Sequence, residues 1–162
     1  MAIRLIITGG TIDKEYDEIK EMFAFKESHL SQFLKQARIQ VDVVPEVLML
    51  IDSLDMRDEH REKILKACQD SPEDKIIIVH GTGTMTVTAE FVMDKLKDKT
   101  VVFTGAMVPG VVSNTDAFFN LGTAFAFVQS LPKGVYLAIN GRKFEAGKVM
   151  KNTVTGCFEE LL

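Results

Sequence analysis

Two threonines, each placed just after a glycine-rich strand end, are the side chains of this sequence best suited to chemistry. Thr11 follows the run Leu5–Gly10, and Thr82 follows the run Ile76–Gly81. A free hydroxyl is a weak nucleophile, so either threonine could attack a carbonyl carbon only if a neighbouring group accepts its proton. The backbone N–H groups of the same two residues could stabilise the resulting oxyanion. The pattern indicates acyl transfer at one site built from both turns.

Two residues could accept the proton. Tyr16 lies five residues after Thr11 in a charged segment, where its phenol could relay the proton. Lys151 lies in the last polar stretch and could act as a base if burial beside Thr82 lowers its pKa. Each residue also has a structural interpretation, since the threonines could cap helices, Tyr16 could pack in a loop and Lys151 could be solvated. His80 ends an apolar strand, and we interpret it as a hydrogen-bonded structural histidine.

The apolar runs that carry these turns predict an α/β fold: a single domain over residues 1–162, with a mainly parallel sheet and helices on both faces. Strands are predicted at Ile3–Thr8, Ile76–Val79, Val101–Phe103 and Gly134–Ile139, and helical patterns alternate with them. Ligands bind at the carboxyl edge of such a sheet. The loop Thr104–Gly110 should reach the same edge.

Between the main strands the sequence predicts several local features. Residues 9–26 should form a loop or hairpin over the site, because loops of that length in compact domains often serve a function. We also expect a helix that Ser28 caps, followed by a short strand of Val41, Val43 and Val44 that ends at Pro45. A second helix should run through Arg61 and Cys68, with Ser53 or Asp55 as its cap. A third, phenylalanine-rich helix should be capped by Asn114 or Thr115 and buried nearly all round.

The composition excludes several classes of function. Of 162 residues, 46% are hydrophobic and 26% charged, which is typical of a globular domain, and the net charge of −4 argues against nucleic-acid or anionic-membrane partners. Cys68 and Cys157 form no C-x-x-C pair, so we expect reduced thiols in or near the core and no metal site. The absence of a leader pattern or a long apolar run predicts a cytoplasmic protein.

Five motifs follow one another along nearly the whole chain: Thr8–Ile12, Asp52–Met56, His80–Met85, Thr104–Met107, and Asn140–Arg142 with Lys151-Asn152. Together they resemble the bacterial-type L-asparaginase (asparaginase/glutaminase) family. The resemblance is to the amino-terminal domain alone, as in the short-chain members. It implies that the chain hydrolyses L-asparagine to L-aspartate and ammonia through an acyl-enzyme, without a cofactor or metal.

The resemblance also implies roles for individual residues. Thr11 matches the primary nucleophile and Tyr16 its activating tyrosine, while Thr82 matches the second catalytic threonine with Lys151 as its partner. Ser53 matches a serine that holds the substrate α-carboxylate. The other predicted substrate-binding residues are Gly10, Asp52, Gly81, Gly83 and Ala106, the last through a backbone group near the leaving amide. Asp116 and Asn120 match helix positions with a structural role.

One position departs from the family pattern. The motif His-Gly-Thr-Asp-Thr has Gly83 in place of its aspartate, which is expected to bind the substrate ammonium and to pair with the lysine. Removing one partner of a buried charge pair costs about 3–5 kcal/mol. Leu54, where many members have glutamine, removes a further hydrogen-bonding group. Three alternatives are therefore open. The chain is an impaired enzyme, an enzyme in which Asp13, Asp52 or a neighbouring subunit supplies the acid, or an inactive amino-acid-binding module.

Two expectations concern partners. The turn Gly81–Thr84 could present N–H groups to a phosphate, but the third glycine of the dinucleotide pattern and a Walker lysine are absent, so nucleotide binding is disfavoured. A homodimer or a larger homo-oligomer is expected, because the sheet is small and no second domain closes its crevice.

Overall fold

Strands and helices alternate along the chain in the computed structural model, which describes all of residues 1–162. Two single turns of 3-10 helix, Thr11–Asp13 and Ser53–Asp55, follow the first and fourth strands. In chain order the other elements are β1 (Ala2–Gly9), β2 (Glu15–Asp17), β3 (Met22–Ala24), α1 (Leu30–Gln36), β4 (Asp42–Ile51), α2 (Asp58–Asp70), β5 (Lys75–Val79), α3 (Met85–Met93), β6 (Thr100–Thr104), α4 (Ala117–Ser130), β7 (Gly134–Ile139), β8 (Arg142–Glu145), β9 (Val149–Lys151) and β10 (Phe158–Glu160).

A six-stranded sheet in the order β4-β1-β5-β6-β7-β8 forms the centre of the molecule. Its first five strands are parallel, and β8 returns antiparallel to β7. The turn between them uses Asn140 and Gly141 at positive φ values of 51° and 79°, which suits this dipeptide in a tight hairpin. The pairs β2–β3 and β9–β10 form separate two-stranded sheets. The predicted α/β class is therefore confirmed.

Two apolar cores lie on opposite faces of the sheet, because successive side chains of a strand point to opposite sides. In β5, Ile76 and Ile78 face the core made with α2 and α3, whereas Ile77 and Val79 face the core made with α1 and α4. Helices thus cover both faces, as predicted. None of the helices has the length and apolarity needed to cross a membrane.

The fourth strand corrects one prediction, since it does not end at Pro45. It runs from Asp42 to Ile51 beside β1, with Pro45 opposite Leu5 and a register shift only after Ile7. Because β4 is an edge strand with only one neighbour, a residue without an N–H group can be accommodated there. Val43 and the apolar residues after Pro45 therefore belong to a single strand.

The predicted helix caps are also partly wrong. Ser53 and Asp55 lie in their own 3-10 turn, and α2 begins later, after Arg57, whose N–H donates to Nδ1 of His60 at 2.9 Å. Ser28 does accept a hydrogen bond from the N–H of Leu30 at 3.3 Å. The N-cap of α4 is Asp116, although the Thr115 hydroxyl accepts from Ala117 N–H at 3.0 Å.

Two expectations of burial are wrong. Phe119 in α4 is 63% exposed, so this helix buries one side and not its whole circumference. Cys68 is buried, and burial raises the pKa of its thiol to about 12, but Cys157 is exposed. Cys157 lies in the turn between β9 and β10, so only one of the two thiols belongs to the core.

Candidate active site

The two threonine turns meet at the carboxyl edge of the central strands. In the register of β1 with β5, Ile7 lies opposite Val79, so the turns that follow the two strands leave the sheet side by side. Gly10 has φ 84° and ψ 172°, and a Cβ placed on it would lie 2.5 Å from Cα of Gly81. Only glycine fits this backbone conformation and this contact between two main chains. The glycine pair therefore brings Thr11 and Thr82 to the same place.

A cleft of about 210 Å³ opens at this point. Its lining includes all the residues predicted from the sequence to be catalytic or substrate-binding, except Tyr16 and Ala106. Leu54 and Met107 line it as well. The lining residues are Gly10, Thr11, Asp52, Ser53, Leu54, Gly81, Thr82, Gly83, Met107 and Lys151.

Lys151 and Thr82 form a hydrogen-bonded pair within the cleft. The Lys151 Nζ lies 2.8 Å from the Thr82 Oγ1, within hydrogen-bonding distance. Partial burial lowers the pKa of Lys151, because it disfavours the charged ammonium. The Thr82 hydroxyl also donates to the Met107 sulfur at 3.4 Å. Lys151 reaches the cleft because it ends β9, where it pairs with Phe158 of β10 in a hairpin that the sequence did not predict.

Thr11 and Tyr16, unlike Lys151 and Thr82, are not in hydrogen-bonding contact with each other. Thr11 lines the cleft from a 3-10 turn, and its hydroxyl makes no hydrogen bond within the chain. Tyr16 lies on β2, and the β2–β3 hairpin confirms the predicted loop or hairpin. Its side chain is 51% exposed and packs edge-on against Phe23 with 5.7 Å between ring centres. The structure does not bring the Tyr16 phenol to Thr11.

The turn after β4 forms the opposite wall of the cleft. The Ser53 Oγ accepts a hydrogen bond from the N–H of Thr84 at 3.2 Å, and the Thr84 hydroxyl donates to the Ser53 carbonyl at 2.8 Å. These bonds attach the turn to the loop after β5 and leave the Ser53 hydroxyl proton available for a ligand. The bond from the Thr84 N–H also occupies one of the N–H groups of the turn Gly81–Thr84 that a bound phosphate would need.

Lys14 is a site residue that the sequence reasoning missed. Its Nζ lies 2.6 Å from the Asp52 carboxylate, whose other oxygen accepts from the N–H of Leu54 at 3.0 Å. The bond to Lys14 and, secondarily, the bond to the Leu54 N–H hold the pKa of Asp52 below its usual range. The two residues of the ion pair are 38 positions apart, so no local pattern could have shown that they meet.

Neither of the two acids considered from the sequence fills the place of the missing aspartate. Asp52 is bound to Lys14, and Asp13 is fully buried outside the cleft, where it accepts a hydrogen bond from the N–H of His29 at 2.6 Å. Burial also raises the pKa of Asp13. A Cβ on Gly83 would lie 2.9 Å from Cδ2 of Leu54, so the leucine occupies the space beside that glycine.

The loop after β6 lines the cleft with Met107, and the backbone contact predicted for Ala106 stays a prediction. Ala106 is 2% exposed and packs in the core, whereas the next residue lines the cleft. Asp116 fixes this loop, because its carboxylate accepts hydrogen bonds from the N–H groups of Met107 and Val108 at 3.0 Å. Asn120 donates to the carbonyl of Gly105 at 2.9 Å. These contacts agree with the structural role predicted for both helix residues.

His80 is buried behind the cleft and holds the loop after β5. Its Nε2 lies 2.8 Å from the Thr88 hydroxyl, and its Nδ1 lies 2.8 Å from the carbonyl oxygen of Gly81. Burial lowers the pKa of His80 to about 4, which keeps the ring neutral at pH 7. His80 therefore acts as a structural residue. No cluster of three or more His, Cys, Asp or Glu side chains in the chain could hold a metal ion.

Comparison with known proteins extends this picture. The family profile described as "Asparaginase, N-terminal" matches residues 2–159. The "Probable L-asparaginase periplasmic" of Haemophilus influenzae is 32% identical over 164 residues, which cover 94% of this chain and 47% of that protein. The chain thus spans about half the length of this curated relative.

Solved structures agree with the sequence matches. The thermostable L-asparaginase from Thermococcus kodakarensis superimposes with a TM-score of 0.86 at 26% identity, over 99% of this chain and 51% of that one. The probable cytoplasmic L-asparaginase from Campylobacter jejuni gives a TM-score of 0.74 at 34% identity, over 93% of this chain and 48% of that one.

Proposed function

This chain belongs to the asparaginase family, whose N-terminal domain matches residues 2–159, and from that premise we propose that it is an amidohydrolase of the L-asparaginase type. The reaction releases ammonia from the side-chain amide of L-asparagine and leaves L-aspartate. The observation that carries the proposal is the 2.8 Å contact of Lys151 with Thr82 inside a cleft that also contains Thr11.

The proposed chemistry has two steps. The Thr11 oxygen attacks the amide carbon, and the hydroxyl proton passes to the departing nitrogen, so that ammonia leaves and a threonine ester remains. A water molecule then attacks the ester, Thr11 recovers its proton and the carboxylate product is released. In its neutral form Lys151 accepts a proton through the Thr82 hydroxyl, which makes this pair the base of the reaction. The lowered pKa of Lys151 supports this role.

The role of Tyr16 in this proposal requires movement of the hairpin. Tyr16 is half exposed and outside the cleft, whereas activation of Thr11 needs the phenol within hydrogen-bonding distance of the hydroxyl. The β2–β3 hairpin is not hydrogen-bonded to the central sheet, which supports closure over the cleft when substrate binds. Backbone N–H groups at Thr11 and Thr82 would stabilise the oxyanion.

Ammonia release from L-asparagine tests the proposal. We expect release above background by the wild-type protein and a loss of at least about a hundredfold in Thr11→Ala and in Thr82→Ala. Thr123→Ala, which removes an exposed hydroxyl on α4, is the matched control and should keep the wild-type rate. Equal rates in all four proteins would refute the assignment of both threonines, and no release from any amide substrate would refute the enzymatic function.

Location and assembly are further parts of the proposal. A cytoplasmic location is supported by two cysteines that form no disulfide, whereas the similar proteins include both a probable periplasmic and a probable cytoplasmic L-asparaginase. Self-association remains the prediction made from the small sheet and its open crevice. Sedimentation at several concentrations would distinguish a monomer from a homodimer or a larger homo-oligomer.

A further inference from the structure

The charged groups that line the cleft are few, and none offers a free negative charge. Asp52 and Lys151 are the only ionisable side chains in its wall. Both carboxylate oxygens of Asp52 are engaged, one by Lys14 at 2.6 Å and the other by the N–H of Leu54 at 3.0 Å. Lys151 contacts the Thr82 hydroxyl and forms no ion pair. A bound cation would therefore meet a lysine and no unpaired acid.

The wall of the cleft at Gly83 and Leu54 is apolar where a charged side chain could have stood. Gly83 contributes only backbone, and the Leu54 methyl lies 2.9 Å from the place that a Cβ on Gly83 would take. The 76% exposed leucine side chain therefore covers this position with hydrocarbon. An ammonium group held there would gain no ionic partner from this chain, while Lys151 lines the same cleft.

The remaining groups of the cleft suit an anion. The Ser53 hydroxyl retains its proton for a ligand, since its oxygen already accepts from the Thr84 N–H. A protonated Lys151 adds a positive charge, and a neutral Lys151 adds an N–H donor. A carboxylate on the ligand can use these donors, whereas an ammonium cannot.

We infer that the cleft selects amides that carry a carboxylate but no free ammonium group beside it, such as the monoamide of a dicarboxylic acid. This inference rests on the proposed amidohydrolase function and specifies its substrate class. L-Asparagine is then a poor substrate, because its ammonium group has no anionic partner in a cleft that Lys151 also lines. The corresponding compound without the ammonium, succinamate, is otherwise identical to it.

The test compares these two amides and, separately, their products. We expect kcat/KM for succinamate to exceed that for L-asparagine at least tenfold, and calorimetry to show that succinate binds at least tenfold more tightly than L-aspartate. A preference for L-asparagine, or equal rates, would overturn the inference while the enzyme assignment stands. If neither amide is hydrolysed, the function fails, and the calorimetric comparison alone decides the selectivity: equal binding or tighter L-aspartate binding would refute it.

Three variants sharpen the comparison. Gly83→Asp places a carboxylate in the wall, and Leu54→Asp does so from an exposed position without crowding Gly83, so the test survives if the first variant folds poorly. Each should shift the ratio of L-aspartate to succinate affinity at least tenfold towards L-aspartate. Val87→Asp adds the same charge at an exposed position of α3 outside the cleft and should leave the ratio unchanged. An unchanged ratio in both cleft variants would overturn the inference.

Discussion

Replacing Gly10 by alanine should destabilise the protein by about 2–6 kcal/mol. The Gly10 backbone, with φ 84° and ψ 172°, lies in a region that is essentially restricted to glycine, and another residue there costs about 1–3 kcal/mol. The added Cβ would also lie 2.5 Å from Cα and N of Gly81 and 2.9 Å from the carbonyl carbon of His80. These are backbone atoms that no rotamer change can move, and overpacking costs about 1–3 kcal/mol more.

The same methyl group added at Gly122 provides the control. A Cβ there meets nothing within 4 Å, and the residue lies inside α4, where alanine is favoured over glycine by about 0.8–1 kcal/mol. Gly122→Ala should therefore stabilise the protein slightly. Gly10→Ala should remove a large part of the free energy of unfolding, which is typically about 5–15 kcal/mol for a domain.

Urea unfolding followed by circular dichroism measures both changes. The difference between the two variants should be at least about 3 kcal/mol, with opposite signs relative to wild type. A Gly10→Ala protein whose free energy of unfolding lies within about 0.5 kcal/mol of wild type would refute the reasoning. It would mean that the two glycine turns can separate at no cost, and the close placement of Thr11 and Thr82 would then lose its physical basis.

Three further predictions concern other parts of the site. His80 has a folded-state pKa of about 4 against 6.5 unfolded, so the free energy of unfolding should fall by about 3 kcal/mol as the pH drops through this range, and urea unfolding of His80→Asn should lack most of this loss. Because the pKa of Lys151 is lowered in the folded protein, the free energy of unfolding should rise with pH towards 10.5. Urea unfolding at alkaline pH should show no such rise in Lys151→Met. The same variant should lose at least about a hundredfold in kcat. Asp116→Ala leaves the N–H groups of Met107 and Val108 without their acceptor and should cost about 1–3 kcal/mol in thermal unfolding, which Asp116→Asn should partly restore.

The main strands and the residues of the cleft were predictable because their signals are local. An apolar run that ends in glycine and threonine identifies both a strand and its carboxyl end, and parallel pairing then brings Thr11 and Thr82 together. Pro45 was misinterpreted because a proline breaks most strands and the sequence does not show which strand lies at the edge.

The features that escaped prediction depend on contacts between distant segments. The ion pair of Lys14 with Asp52 and the β9–β10 hairpin that carries Lys151 leave no periodic pattern in the sequence. The position of Tyr16 is similar, because the sequence predicts a hairpin over the site but not the packing of the ring against Phe23. Resemblance assigned roles to Asp52, Lys151 and Tyr16 but not to Lys14, and only the structure shows which of these residues meet.

The ion pair between Lys14 and Asp52 has a consequence for the dependence of the protein on ionic strength. This pair joins the segment just before β2 to the rim of the cleft, and both side chains are partly exposed, at 20% and 33%. Dissolved salt screens exposed charges that lie more than about 10 Å apart at 0.1 M, but it acts much less on a partly buried pair in direct contact such as this one. The central sheet, held by buried apolar side chains, responds little to the same ions. The attachment of this segment to the rim of the cleft should therefore persist at salt concentrations that break fully exposed ion pairs, and access of a ligand to the cleft should depend little on ionic strength.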